Sequence, residues 1–217
     1  MAEGNSTRRV GIVAALAAAA CSIAYDVAQI FEWLGMLGSA GGPRNTSTPF
    51  GITVLLVPSL LLGPAHMAMI AALHRIVADS HKVYGLIALA FATAYATLTG
   101  LVYFVQITFV APRLAAGEMA SIELLRFVPY QSFLFAIDLY GYSLMCASAL
   151  FAGLALGHSA DTRLARRLLI VTGLLIPALA LQMQFPWLIW IGAIWAFTYP
   201  AAALALVRVF RILPPNC

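Results

Sequence analysis

Three acidic residues stand inside long apolar runs of the chain: Asp26 and Glu32 in the first, Asp138 in the fourth. A carboxyl group at membrane depth costs roughly 3 kcal/mol or more unless it is paired, protonated or wet, so each of these needs partners from elsewhere. At about 100° per residue, Ser22, Asp26, Gln29 and Trp33 fall on one helical face, with Tyr25 and Glu32 along its edge. The same spacing puts Tyr95, Thr99, Tyr103 and Gln106 on one face of the third run. Tyr142 follows Asp138 at i+4, and the fifth run brings Gln182 and Gln184. With a rise of about 1.5 Å per residue, these groups climb to the same half of a bundle. That convergence implies a polar cavity.

A carboxyl group shielded from water holds its proton more tightly than one in solvent and can serve as a general acid. Asp26 is the expected proton donor, with Asp138 or Glu32 as the complementary base. Tyr103, Tyr142 and Trp33 would supply an aromatic wall able to stabilise positive charge developing on a hydrocarbon. Gln29, Gln106 and Gln182 join them as substrate-binding candidates. So does His66, which follows Gly63-Pro64, where proline frees a backbone carbonyl. His66 lies roughly 10 Å in depth from Asp26 by the same rise; it either relays protons or donates to a neighbouring carbonyl. Trp187, Trp190 and Tyr130 read more simply as an interfacial aromatic belt.

This layout suits a membrane-embedded enzyme, of cyclase or isomerase type, acting on a lipid or isoprenoid-like substrate without cofactor or metal. A proton-coupled carrier or ligand-binding membrane protein is the alternative, with Asp26, Asp138 and His66 exchanging protons. A structural subunit, whose carboxyls bond only to neighbouring helices, is the third. The chain has no Gly-rich phosphate loop, G-x-S-x-G, H-E-x-x-H or D-D-x-x-D run, which argues against ATP-driven transport and magnesium-pyrophosphate chemistry. His66, His74, His81 and His158 have no dense ligand spacing, so neither haem nor catalytic zinc is expected.

The elements that must position these groups are apolar helices. Hydrophobic residues make up 63% of the 217 and charged residues only 9%, against roughly a quarter charged in a soluble domain. Six apolar runs can be marked, about 10–37, 50–73, 83–111, 132–157, 167–185 and 187–208, each long enough to cross the hydrocarbon. They predict one all-α transmembrane domain over 1–217. Arg8-Arg9 before Val10 to Ala20 has the outline of a signal peptide, but the apolar run continues past Cys21 to Leu37, so an uncleaved first span is expected.

Basic residues set the orientation. With a cytoplasmic N-terminus, Arg8, Arg9, Arg75, Lys82, Arg163, Arg166, Arg167, Arg208 and Arg211 lie inside, and only Arg44, Arg113 and Arg126 outside. Nine against three satisfies the positive-inside rule and puts both termini in the cytoplasm. The net charge of +4 is thereby a topology signal rather than a nucleic-acid-binding patch. Membrane lipid and a hydrophobic small molecule are the expected partners.

The outer loop 112–130 carries Met119, Ile122 and Leu125 at helical spacing, which predicts a short amphipathic helix, either a lid or a plain connector. Gly153 and Gly157 form a G-x-x-x-G match that lets helices approach closely and admits a homo-oligomer. Cys21, Cys146 and Cys217 lack any paired spacing and read as apolar fillers.

The run Val102-Tyr103-Phe104-Val105-Gln106-Ile107-Thr108, followed by Pro112, resembles a stretch found in small uncharacterised bacterial six-helix integral membrane proteins. The resemblance covers the third and fourth spans. It implies a six-helix bundle and brings no activity with it; the expected location is a bacterial inner membrane.

Overall fold

The structure, a computed structural model, describes residues 2–212; Cys217 lies outside them. The chain is all-α. In order come α1 (Ala2–Trp33), α2 (Pro49–Ile76) and α3 (Lys82–Val105), which continues through a π-helical segment (Gln106–Val110) into α4 (Ala111–Ala115). After them come α5 (Phe133–Ala155), α6 (Arg163–Gly173), α7 (Ile176–Ala180), α8 (Ile189–Gly192) and α9 (Trp195–Ile212). Five stretches are long and apolar enough to cross a membrane: Asn5–Trp33, Pro49–Ile76, Asp79–Ala115, Phe133–Ala155 and Pro186–Ile212. They mark an integral membrane protein.

The helices pack α1 on α2, α2 on α3, α3 on α5, α5 on α6, α6 on α9, and α9 back on α1. Six helices thus close a ring in sequence order, each packed on the next in the chain. Small residues set its tightness, as expected where apolar surface alone gives helices no preference for each other over lipid. A Cβ on Gly63 would lie 3.2 Å from the Ala96 Cα of α3, and one on Gly173 2.7 Å from the Leu150 Cα of α5. Ala14, Ala15, Ala18 and Ala19 give α1 its buried stripe. Gly153 of the G-x-x-x-G match is used within the chain, since its Cβ would meet Ile170 of α6 at 2.9 Å, whereas Gly157 faces open space.

Boundaries depart from the apolar runs for local reasons. The first run extends to Leu37, but α1 stops at Trp33, where Gly35 takes φ +74°. Gly42 then donates its N–H to the Trp33 carbonyl at 2.8 Å, closing the helix end. Thr48 caps α2 by accepting from the Gly51 N–H at 3.0 Å, and its own hydroxyl donates to the Leu37 carbonyl at 2.7 Å. The stretch 167–185 is divided. α6 begins at Arg163 and ends at Gly173, and α7 restarts with Pro177, whose missing N–H is tolerated only in a first helical turn. Segment 112–132 holds two 3₁₀ turns, Met119–Ser121 and Glu123–Leu125, with Ile122 buried between them and Met119 exposed.

Candidate functional site

The connections 34–48, 112–132 and 181–188 gather at one end of the ring, and there the helices part around a cavity of about 340 Å³. Every acidic residue that the sequence places inside an apolar run lines it. α1 contributes Asp26, Gln29, Glu32 and Trp33; α3 contributes Tyr103; α5 contributes Asp138 and Tyr142; the turn after α7 contributes Gln182. These are the expected site residues apart from two, His66 and Gln106. Gln184 is exposed and stands outside the wall.

The two most deeply buried carboxyl groups keep oxygens without protein partners. Glu32 is 4% exposed and Asp138 7%, while Asp26 is half-buried. Both Glu32 oxygens and Asp138 Oδ1 have no hydrogen-bond partner among the described residues, nor do the Tyr142 and Tyr130 hydroxyls and Trp195 Nε1, all in the same wall. Buried polar atoms in folded proteins are almost always bonded, and six of the eleven exceptions among the described residues lie on this hollow, where they are free to bond water or a ligand. Glu32 Oε2 comes so close to Gly51, in the first turn of α2, that a Cβ there would lie 2.8 Å from it. The positive end of that helix favours the carboxylate. The Tyr103 hydroxyl lies alongside Asp138.

The floor is aromatic. Tyr25 and Tyr142 stack at 6.4 Å between ring centroids, and Trp195 stands edge-on to both, at 6.3 Å and 5.3 Å. Beneath, Tyr199 stacks on Trp195 at 5.1 Å. Trp33 meets Trp190 edge-on at 6.2 Å. Tyr25 appeared in the sequence only as an edge of the α1 stripe, and its hydroxyl donates to Gln29 Oε1 at 3.1 Å. Nothing local singles out Trp195, because only closure of α9 on α1 brings it to the floor. Tyr130, read from sequence as belt, lines the cavity instead, while Trp187 and Trp190 are 61% and 65% exposed. Burial pushes the Tyr130 phenol above its ordinary range, an effect that Arg44 opposes.

His66 lies below the floor and outside the cavity wall. Its Nε2 is 3.0 Å from Ser148 Oγ and its Nδ1 3.0 Å from the Tyr199 hydroxyl. Ser148 commits its single hydrogen to the Ala88 carbonyl at 2.8 Å, so the Ser148 oxygen can only accept from His66. The ring therefore donates through Nε2, and Nδ1 accepts from Tyr199. This network ties α2 to α3, α5 and α9.

Gln106 is likewise spent on structure. Its Nε2 donates to the Leu125 carbonyl at 2.6 Å and its Oε1 accepts the Phe127 N–H at 3.2 Å, pinning the strip that carries Phe127 and Tyr130 over the cavity. Ser132 continues the pinning, accepting from Val128 at 3.0 Å and capping α5 through the Phe135 N–H at 3.2 Å.

Fold and site together define an all-α integral membrane protein with an acidic, aromatic-floored cavity at one end of its helix ring. Comparison with protein-family models, curated proteins and solved structures gives no match. Among the described residues, no group of three or more His, Cys, Asp or Glu side chains is arranged to hold a metal ion.

Proposed function

We propose that this protein is a membrane-embedded enzyme performing acid–base chemistry on a lipid or isoprenoid-like substrate within the cavity, as a cyclase or isomerase. The observation that carries the reading is the meeting of Asp26 and Glu32 from α1 with Asp138 from α5 in the wall of one hollow. Asp26 gives a proton to a substrate double bond, and Asp138 or Glu32 takes one from a neighbouring carbon. The substrate keeps its atoms and gains a ring or a shifted double bond. The positive charge formed between the two steps faces the rings of Tyr25, Tyr103 and Tyr142.

In this reading α6 and α7 together make a sixth crossing and segment 112–130 is an outer connector. Both termini lie in the cytoplasm of a bacterial inner membrane, supported by the nine basic residues at the end opposite the cavity. A proton-coupled carrier has less support, because its relay would run through His66, whose two ring nitrogens are both engaged with neighbouring hydroxyls.

The test is turnover in liposomes made with deuterated water, read by mass spectrometry. A proton-initiated reaction transfers solvent deuterium to carbon, and Asp26→Asn and Asp138→Asn each lower its rate by about a hundredfold or more. Folded variants that retain full turnover refute the proposal.

A further inference from the structure

The charge of the cavity is one-sided. Three of its wall residues, Asp26, Glu32 and Asp138, are acidic, and among the described residues that line it there is no lysine, arginine or histidine. Arg44 sits between the wall residues Pro43 and Asn45 but is itself exposed. Two of the carboxyl groups are more than nine-tenths buried and turn unbonded oxygens toward the hollow. An acidic cluster alone would say little, since buried carboxyls can bond to neighbouring helices. Here both Glu32 oxygens and Asp138 Oδ1 stay unbonded, with only Tyr103 beside Asp138, and next to them lies a second feature with the same preference: the cluster of Tyr25, Tyr142 and Trp195. Ring faces carry negative potential and attract cations, most strongly when water is excluded.

From this we infer that the cavity binds an amphiphile whose head is a positively charged organic nitrogen, an ammonium or quaternary ammonium group. The head sits among Glu32, Asp26 and Asp138 against the aromatic floor. The apolar chain lies along Ile52, Leu55 and Leu56 of α2, which complete the wall. A volume of about 340 Å³ falls within the range of small-molecule sites. A lone inorganic cation would leave that aliphatic surface uncovered, and an anionic lipid would meet an acidic wall with no basic side chain to pair with. The inference rests on the cavity assigned above and names the class of molecule that the site selects. A cationic amphiphile resembles the charged species that the proposed reaction would pass through, and binds without reacting.

The experiment uses the full chain in dodecyl maltoside micelles with decyltrimethylammonium, decanol and decanoate as probes, followed by calorimetry and tryptophan fluorescence. Decyltrimethylammonium binds saturably, about tenfold or more tighter than decanol, and decanoate does not bind. The near-isosteric pair Glu32→Gln and Asp138→Asn removes that preference. Asp161→Asn, at the opposite end and paired with Arg208 at 3.8 Å, leaves it intact. The comparison of probes on the unaltered protein keeps the test decisive even if the paired variant does not fold. Equal binding of decanol and decyltrimethylammonium, or a preference that survives in the folded variant, overturns the inference while leaving an acid–base enzyme for neutral substrates standing. Selective ammonium binding without any turnover on lipid or isoprenoid substrates has the opposite meaning: the ligand class holds and the enzyme falls.

Discussion

Gln106→Leu isolates what holds the Phe127–Tyr130 strip over the cavity. The substitution keeps a side chain of similar reach on the buried face of α3's continuation, yet deletes both bonds to the strip, at 2.6 Å to Leu125 and 3.2 Å to Phe127. Each such bond is worth about 1 kcal/mol net, and somewhat more where the backbone group left behind stays out of water, so the strip loses roughly 2–3 kcal/mol of holding energy. Local opening then becomes about 30- to 150-fold more frequent. The strip retains its ring contacts, Phe127 with Phe135 at 5.2 Å and Tyr130 with Phe135 at 5.0 Å, so it opens without the bundle unfolding. Hydrogen exchange reads this directly. Amides in 125–130 should exchange faster by about that factor, while those in the middle of α5 stay unchanged, because opening is confined to a local unit. Unchanged exchange at Phe127 would refute the pinning role, and acceleration spread evenly over α3 and α5 would show that Gln106 supports the whole bundle instead.

Three further substitutions test the packing. Gly173→Ala pushes a methyl to 2.5 Å from the Leu150 Cβ and 2.7–2.9 Å from its backbone, and should cost about 1–3 kcal/mol in thermal or denaturant unfolding in detergent. Gly157→Ala, which meets nothing, should stay within about 0.5 kcal/mol. His66→Leu strips the Tyr199 hydroxyl of its acceptor and should destabilise by about 1–3 kcal/mol without altering ligand affinity in the cavity, since His66 lies beneath the floor; a large affinity loss in folded protein would restore it to the site.

How much of this was legible beforehand varies with the range of the interaction. Periodicity on α1 and α5 exposed the stripe of Asp26, Gln29 and Trp33 and the pair Asp138 and Tyr142, because a helix fixes which residues share a face. The same logic overreached on α3. Tyr95, Thr99, Tyr103 and Gln106 do share one buried face, but only Tyr103 reaches the cavity; Gln106 is taken by backbone groups some twenty residues on, at Leu125 and Phe127. Breaks inside apolar stretches, at Gly35 and between Gly173 and Pro177, also escaped hydropathy, which counts apolar residues without weighing the backbone conformation each one requires.

Composition alone therefore determined an all-α membrane chain, since so few charges and such long apolar stretches leave the backbone no way to satisfy its polar groups in lipid except as helices. Helical spacing determined which polar side chains travel together. Only the closing of α9 against α1 decided that Trp195 joins Tyr25 and Tyr142 as a floor. Only the packing of α2 between α1 and α3, with His66 reaching α5 and α9 from there, sent it to a structural tie with Ser148 and Tyr199. Both depend on contacts between residues more than eighty positions apart, for which a local pattern carries no information.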